Sequence, residues 1–187
     1  MPEGWTVAVH DTFGVRLSNE VVCDGFLREA RTRVQTHIHR DHRQGFDSCK
    51  GAGRKIVALP GTRDLMIAEA DDLLARRDNF IPLDPGEEFE VEGGKIQLFE
   101  NHHMLGSAQV LFESIDGYRT GYSGDFGWPC TPIEVDELVV DGTSAPRTRG
   151  VRQPLARSSA LEHVEEPCAG DARGARRPER RSRRHRA

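Results

Sequence analysis

Three features of this chain predict an α/β fold built from layered sheets. Short strand-like stretches alternate with turn residues from Trp5 to Ser144, one helix-period segment follows Pro60, and polar loops bearing His and Asp follow the ends of strands. WTVAVH, GVRLS and EVVCDG read as an opening run of strands, and RTRVQTH as a short strand ending on His37. KIVALP is another, closed by Pro60-Gly61. In TRDLMIAEADDLLARR, Leu65, Ile67, Ala68, Leu73 and Leu74 recur at helical spacing, which predicts a helix over 62–77 with Thr62 as N-cap. EEFEVEGGKIQLFE is strand, Gly-Gly turn, strand. SAQVLFESIDGYRTGYSGD repeats that hairpin pattern around Asp116-Gly117, and DELVVDGTS adds a last strand.

Composition narrows the class. No apolar run approaches the roughly 20 residues of a membrane span, and the N-terminus lacks the basic-then-apolar pattern of a secretory signal. Cys23, Cys49, Cys130 and Cys168 are scattered with no CxxC pair, which argues against a disulfide scaffold or zinc ribbon and predicts a reduced, cytoplasmic setting. The net charge of −4 conceals two unlike parts. From Arg147 onward, 12 arginines face 5 acidic residues, about +7, whereas residues 1–146 hold 14 basic and 25 acidic groups, −11. A domain over 1–146 is therefore expected, followed over 147–187 by an Arg/Ala/Pro/Gly-rich tail too poor in large apolar residues to offset the entropy of ordering. The tail reads as disordered. A nucleic-acid-binding arm, a solvated extension and out-of-frame translation of GC-rich DNA all remain open for it.

The chemistry is concentrated in VQTHIHRDHRQGF, which packs His37, His39, Asp41 and His42 into six positions. On an extended segment His37 and His39 point the same way and can meet one ion, while Asp41 and His42, just past the strand end, face a second. Imidazole nitrogen with carboxylate oxygen suits zinc, manganese or iron. ENHHMLGSAQV then brings His102 and His103 to the end of another strand, and GYSGDF places Asp125 likewise.

Taken together, these motifs make the sequence similar to metallo-β-lactamase-fold hydrolases, and more narrowly to the β-CASP nuclease branch of RNA 3′-end processing endonucleases and RNA or DNA exonucleases. Asp24 in VVCDGF matches the first motif, H-x-H-x-D-H the second, His103 in HMLGS the third, and Asp125 in SGDF the fourth. Asp141 in VVDGTS matches the acidic residue that opens the β-CASP region. The resemblance spans about residues 5–145, so the layered sheets would be the first αβ half of the fold, incomplete, with flanking helices.

The resemblance implies two divalent ions, Zn²⁺ first and Mn²⁺ as the alternative. His37, His39 and His103 would hold one, Asp41 and His42 the other, with Asp125 between them. Asp41 and Asp125 are the candidate catalytic carboxylates. Asp24 and Asp141 would orient the ligands without binding metal. The implied reaction is hydrolysis of RNA or DNA phosphodiesters by water activated between two metals, with Arg40, Arg43 and Arg119 near the rim to steer phosphates. An inert truncated or frameshifted metal-binding fragment, and a hydrolase of small esters or thioesters, are the other readings. The family's last ligand for the second metal comes from far C-terminal. His163 and His185 stand in the tail with no motif around them. An uncovered face of the first sheet, awaiting a partner or a second copy of the chain, is expected too.

Overall fold

The structure, a computed structural model, describes residues 7–10, 14–51, 53–70 and 72–142. The tail over 147–187, with the expectations placed on it, lies outside the described residues. Two sheets carry the fold. The first holds β1 (Ala8–Val9), β2 (Val15–Arg16), β3 (Val21–Cys23), β4 (Thr32–Val34), β5 (Lys55–Ala58) and β6 (Phe80–Pro82), side by side in chain order. The pairs from β1 to β3 are antiparallel and those from β3 to β6 parallel. The second sheet runs β11 (Glu137–Val139), β10 (Arg119–Tyr122), β9 (Ala108–Ser114), β8 (Gly94–Glu100), β7 (Phe89–Val91), antiparallel throughout except for the parallel β10–β11 pair.

The period-2 alternation of strands decides the layers. Val57 and Leu59 face Ile96, Leu98, Val110 and Phe112 across the space between the sheets, joined by Val15, Val21, Cys23 and Val34. Their neighbours Ile56 and Ala58 point the other way, into a second core with Phe46, Cys49, Met66, Leu74 and Phe80. The central strand β5 is thus buried on both faces, as a parallel strand between a sheet and a helical layer must be. Each fully buried large apolar side chain contributes about 1.5–3 kcal/mol. This arrangement differs from the uncovered first-sheet face expected from the sequence. The covering comes from α1 (Pro60–Ala70), α2 (Asp72–Ala75) and a 3-10 turn at Phe46–Lys50. Among the described residues, the exposed large apolar side chains are Val9 in β1, Leu138 in β11, Val140 just after it, and Leu105, Ile115, Phe126 and Trp128 in loops.

Three local expectations change. The helix begins at Pro60, not Thr62, because proline's fixed φ suits the first helical position. Thr62 is no cap; its Oγ1 donates to the Gly106 carbonyl at 2.7 Å. The strand leading to the histidines leaves the ladder after Val34, and β6 was not foreseen because Asn79 and Pro82 bound only three residues.

The contact between α1 and the HMLGS loop explains that loop's glycine. Gly106 has φ +74, and a Cβ there would stand 2.1 Å from the Thr62 nitrogen. Gly106→Ala is therefore expected to destabilise the chain by about 2 kcal/mol or more in denaturant unfolding, whereas Gly117→Ala, with φ +79 but open space around it, costs only the backbone strain.

Candidate metal centre

Two sheets hold the histidine loop. Past β4, the Gln35 amide still donates to Val57 O of the first sheet at 2.9 Å, and the Thr36 carbonyl accepts from Ala108 N of the second at 3.0 Å. His37, Ile38 and His39 follow in extended backbone, and a 3-10 turn over Arg40–Arg43 swings His42 back inward.

Beneath this loop lies Arg33, 1% exposed. All five of its N–H groups have acceptors. Nε and one Nη2 hydrogen go to Gln35 Oε1 (3.1 and 2.8 Å), and the other Nη2 hydrogen goes to His42 O (2.8 Å). Nη1 donates to Gly25 O and Gln44 O, both at 2.8 Å. The Gln35 amide nitrogen then reaches His37 O at 2.6 Å and His42 O at 3.0 Å. The carbonyls on both sides of the loop are thereby fixed by a buried charge that makes no ion pair among the described residues.

Asp24, 1% exposed and held at φ +54, sets the rings. Its Oδ1 accepts from Thr36 N at 2.8 Å; its Oδ2 accepts from Thr36 Oγ1 at 2.5 Å and stands 2.8 Å from His42 Nδ1. Having given its hydrogen to Asp24, the Thr36 hydroxyl can only accept from His37 Nδ1, 3.0 Å away. Both rings therefore keep Nδ1–H inward, so Nε2 is the nitrogen that each offers, His37 as a lone pair and His42 once its second proton has left.

Those lone pairs converge. His39 Nδ1 lies 3.0 Å from His37 Nε2 and 3.1 Å from His103 Nε2. Asp125 Oδ2 stands 3.8 Å from the first and 3.6 Å from the last of these Nε2 atoms. Donors 2.0–2.1 Å from a tetrahedral zinc are roughly 3.3 Å apart, so this spacing fits one ion. The other oxygen of the same carboxylate, Asp125 Oδ1, is 3.3 Å from His42 Nε2, which is in turn 3.8 Å from Asp41 Oδ2. His42, Asp125 and Asp141 form a second set of donors mutually within 4.8 Å.

The electrostatics agree with a site shaped for cations. Burial, reinforced by His42, pushes His37 down to about 4, so it stays neutral and ligand-ready. Burial opposes charge on His42 as well, yet its hydrogen bond to Asp24 and the charges of Asp24, Asp125 and Asp41 raise it to about 8. Burial raises Asp125 above the usual carboxylate range despite His42 nearby. Among the described residues, the buried Oδ1 of Asp125 has no hydrogen-bond donor. An acceptor-only oxygen and three converging imidazole nitrogens are what a divalent ion would satisfy.

The structure brings His37, His39, His42, His103, Asp125 and Asp24 together, with Asp41 at the mouth, its side chain 72% exposed. His102 turns outward in the left-handed region. Asp141, expected to orient ligands without binding metal, has a carboxylate oxygen within 4.8 Å of a His42 ring nitrogen and an Asp125 oxygen. Of the arginines expected near the rim, Arg43 is tied to Glu69 at 2.7 Å, Arg119 starts β10 at the end away from Asp125 and pairs with Glu113 at 2.9 Å, and Arg40 is exposed beside Asp41. Sequence reasoning missed Arg33, Gln35, Thr36 and Asn101. The buried Asn101 amide donates to Ser123 O and Asp125 O at 2.8 and 2.9 Å, pinning the aspartate loop against the His103 loop. Gly124 allows that approach: at φ +55, its Cβ would meet Ala108 O at 2.9 Å.

The comparisons with known proteins agree with this geometry at the level of fold. A metallo-β-lactamase of Cronobacter sakazakii with the HARLDQ motif superposes with a TM-score of 0.55 at 14% identity, covering 74% of this chain and 77% of that one. A multiply substituted mutant of the HARLDQ-motif metallo-β-lactamase from the same organism gives 0.52, also at 14% identity, over 68% of this chain and 72% of that one. The chain has the metallo-β-lactamase fold. No family model matches it. An uncharacterized protein in the lig 3′ region of Acidianus ambivalens is 41% identical over 61 residues, 31% of this chain and 44% of that protein. The match thus spans less than half of that curated relative's length.

Two outcomes follow from the ligand supports. Asp24→Asn, which weakens the acceptor for His42 and Thr36, lowers divalent-metal affinity about 10–100-fold in a competition titration with a chromophoric chelator. Because a metal must displace the proton that His42 holds up to about 8, metal binding at that ring tightens as the pH rises from 6 to 8 and levels off above, measured by the same titration.

Proposed function

We propose that the chain carries the centre of a metal-dependent hydrolase that cleaves RNA or DNA phosphodiesters. The observation that carries this reading is the position of Asp125, whose two oxygens face two separate sets of ligand atoms. His37, His39 and His103 with Asp125 would hold one divalent ion, and Asp41 and His42 with Asp125 the other, Zn²⁺ or Mn²⁺. Such a pair lowers the pKa of water and offsets charge on a phosphodiester.

The chain's own groups supply the rest. Asp24 and Thr36 keep the rings of His42 and His37 in the ligating tautomer. Asp41, open to solvent 3.8 Å from His42 Nε2, is placed to accept the proton of the attacking water. An open cleft of about 380 Å³ reaches the centre past Asp41, His42 and Asp141. Phe126 and Trp128, 48% and 84% exposed, continue directly from Asp125. Exposed aromatic rings next to a metal centre favour a polymer whose bases can stack over a small ester. The β-lactamase likeness is one of fold and does not carry the substrate.

His37→Ala and Asp125→Ala are expected to abolish hydrolysis of labelled oligonucleotides and to lower bound metal measured by plasma mass spectrometry. Trp128→Ala should weaken binding of a single-stranded oligonucleotide about tenfold with metal content unchanged. A metal-loaded chain that cleaves neither RNA nor DNA yet turns over a small ester or thioester would reverse the substrate assignment.

A further inference from the structure

The second donor set holds more than the H-x-H-x-D-H motif supplies. β11 lies parallel to β10, and the pairing continues past the strand ends: Ser123 N donates to Val139 O at 3.0 Å, and Asp141 N donates to Ser123 Oγ at 2.9 Å. These bonds fix the backbone of Asp141 opposite the Asp125 loop. A carboxylate oxygen of Asp141 then falls within 4.8 Å of both a His42 ring nitrogen and an Asp125 oxygen. His42 is 8% exposed, and its Nδ1 is already committed to Asp24, so Nε2 is the atom it offers. Asp125 Oδ1 is buried with no hydrogen-bond donor among the described residues. Two carboxylates that close to one imidazole nitrogen repel one another, and a divalent ion bound there in place of the His42 proton would draw on both.

Resting on the metal centre proposed above, we infer that Asp141 is itself a ligand of the second ion. It would complete there an oxygen-rich donor set of His42, Asp41, Asp125 and Asp141. The two positions then differ in kind. The first offers three imidazole nitrogens and one carboxylate oxygen, a set suited to zinc. The second offers one nitrogen and three carboxylate oxygens, a harder set that suits manganese and similar ions. The chain would assemble a mixed centre, and Asp141 would occupy the place for which the resemblance calls on a distant histidine.

The test loads the full chain with one equivalent of Zn²⁺ and titrates Mn²⁺, following loss of the free-ion signal by electron paramagnetic resonance. The wild-type chain takes up one Mn²⁺, and Asp141→Asn weakens that uptake at least tenfold while still binding the first Zn²⁺. A direct readout comes from Asp141→Cys titrated with Co²⁺ after the zinc. Ligation by residue 141 produces a near-ultraviolet thiolate-to-cobalt absorption that the wild-type chain lacks. Absence of Mn²⁺ uptake by the zinc-loaded wild type, wild-type Mn²⁺ affinity in Asp141→Asn, or absence of the cobalt band in Asp141→Cys overturns the inference. Failure of the underlying metal centre looks different: the wild-type chain would then not bind the first Zn²⁺, or would bind it equally well as His37→Ala.

Discussion

The arrangement depends on a guanidinium sealed away from water. Arg33 has five donors and no ion pair among the described residues, and its oxygen acceptors lie on the segments it shapes: Gly25 O beside Asp24, and His42 O, Gln44 O and Gln35 Oε1 around the loop. Burying such a charge is costly unless each hydrogen is matched, and breaking one match leaves the rest uncompensated. The loop is therefore held all together or not at all. Because Gly25 directly follows Asp24, the same clamp that fixes the His42 turn also fixes the carboxylate that orients His42 and Thr36.

From that clamp outward, rigidity is passed to the metal-facing atoms in short steps. Gln35 relays Arg33 to the carbonyls of His37 and His42, Asp24 relays through Thr36 to His37, and Asn101 ties the His103 loop to the Asp125 loop. Candidate ligand atoms on three separate segments are thereby held close together. A preorganised set of lone pairs favours metal because the cost of gathering like dipoles has been met during folding. The two-sheet core supplies that energy: the loop leaves the first sheet at Gln35 and touches the second at Thr36, so neither end moves without disturbing the Val57 and Ala108 contacts.

Much of the centre was legible in the sequence because its ligands are rare residue types at fixed spacing. Three histidines and an aspartate within six positions, a histidine near Leu-Gly-Ser and an aspartate in Ser-Gly-Asp-Phe pointed to one cluster, which the structure gathers, and the glycines of those motifs have steric reasons at Gly106 and Gly124. The support was not legible. Arg33 in RTRVQTH looks like the solvent-facing half of an alternating strand, and only tertiary burial under the 3-10 turns makes it structural. Thr62 looks like a cap because Ser and Thr usually are, yet Pro60 starts the helix and frees the hydroxyl for Gly106. Asp141 stands close to His42 and Asp125 because of the parallel β10–β11 pairing, a long-range contact that no local pattern announces.

The central claim is that one carboxylate, Asp125, stands between two metal positions built on this clamp. Anomalous diffraction from crystals of the chain grown with Zn²⁺ and Mn²⁺ tests it most directly. The account predicts two peaks about 3.5–4 Å apart on either side of Asp125, one against His37, His39 and His103 and one against His42. A single peak away from Asp125, or an ion held without His37 and His39, would contradict it.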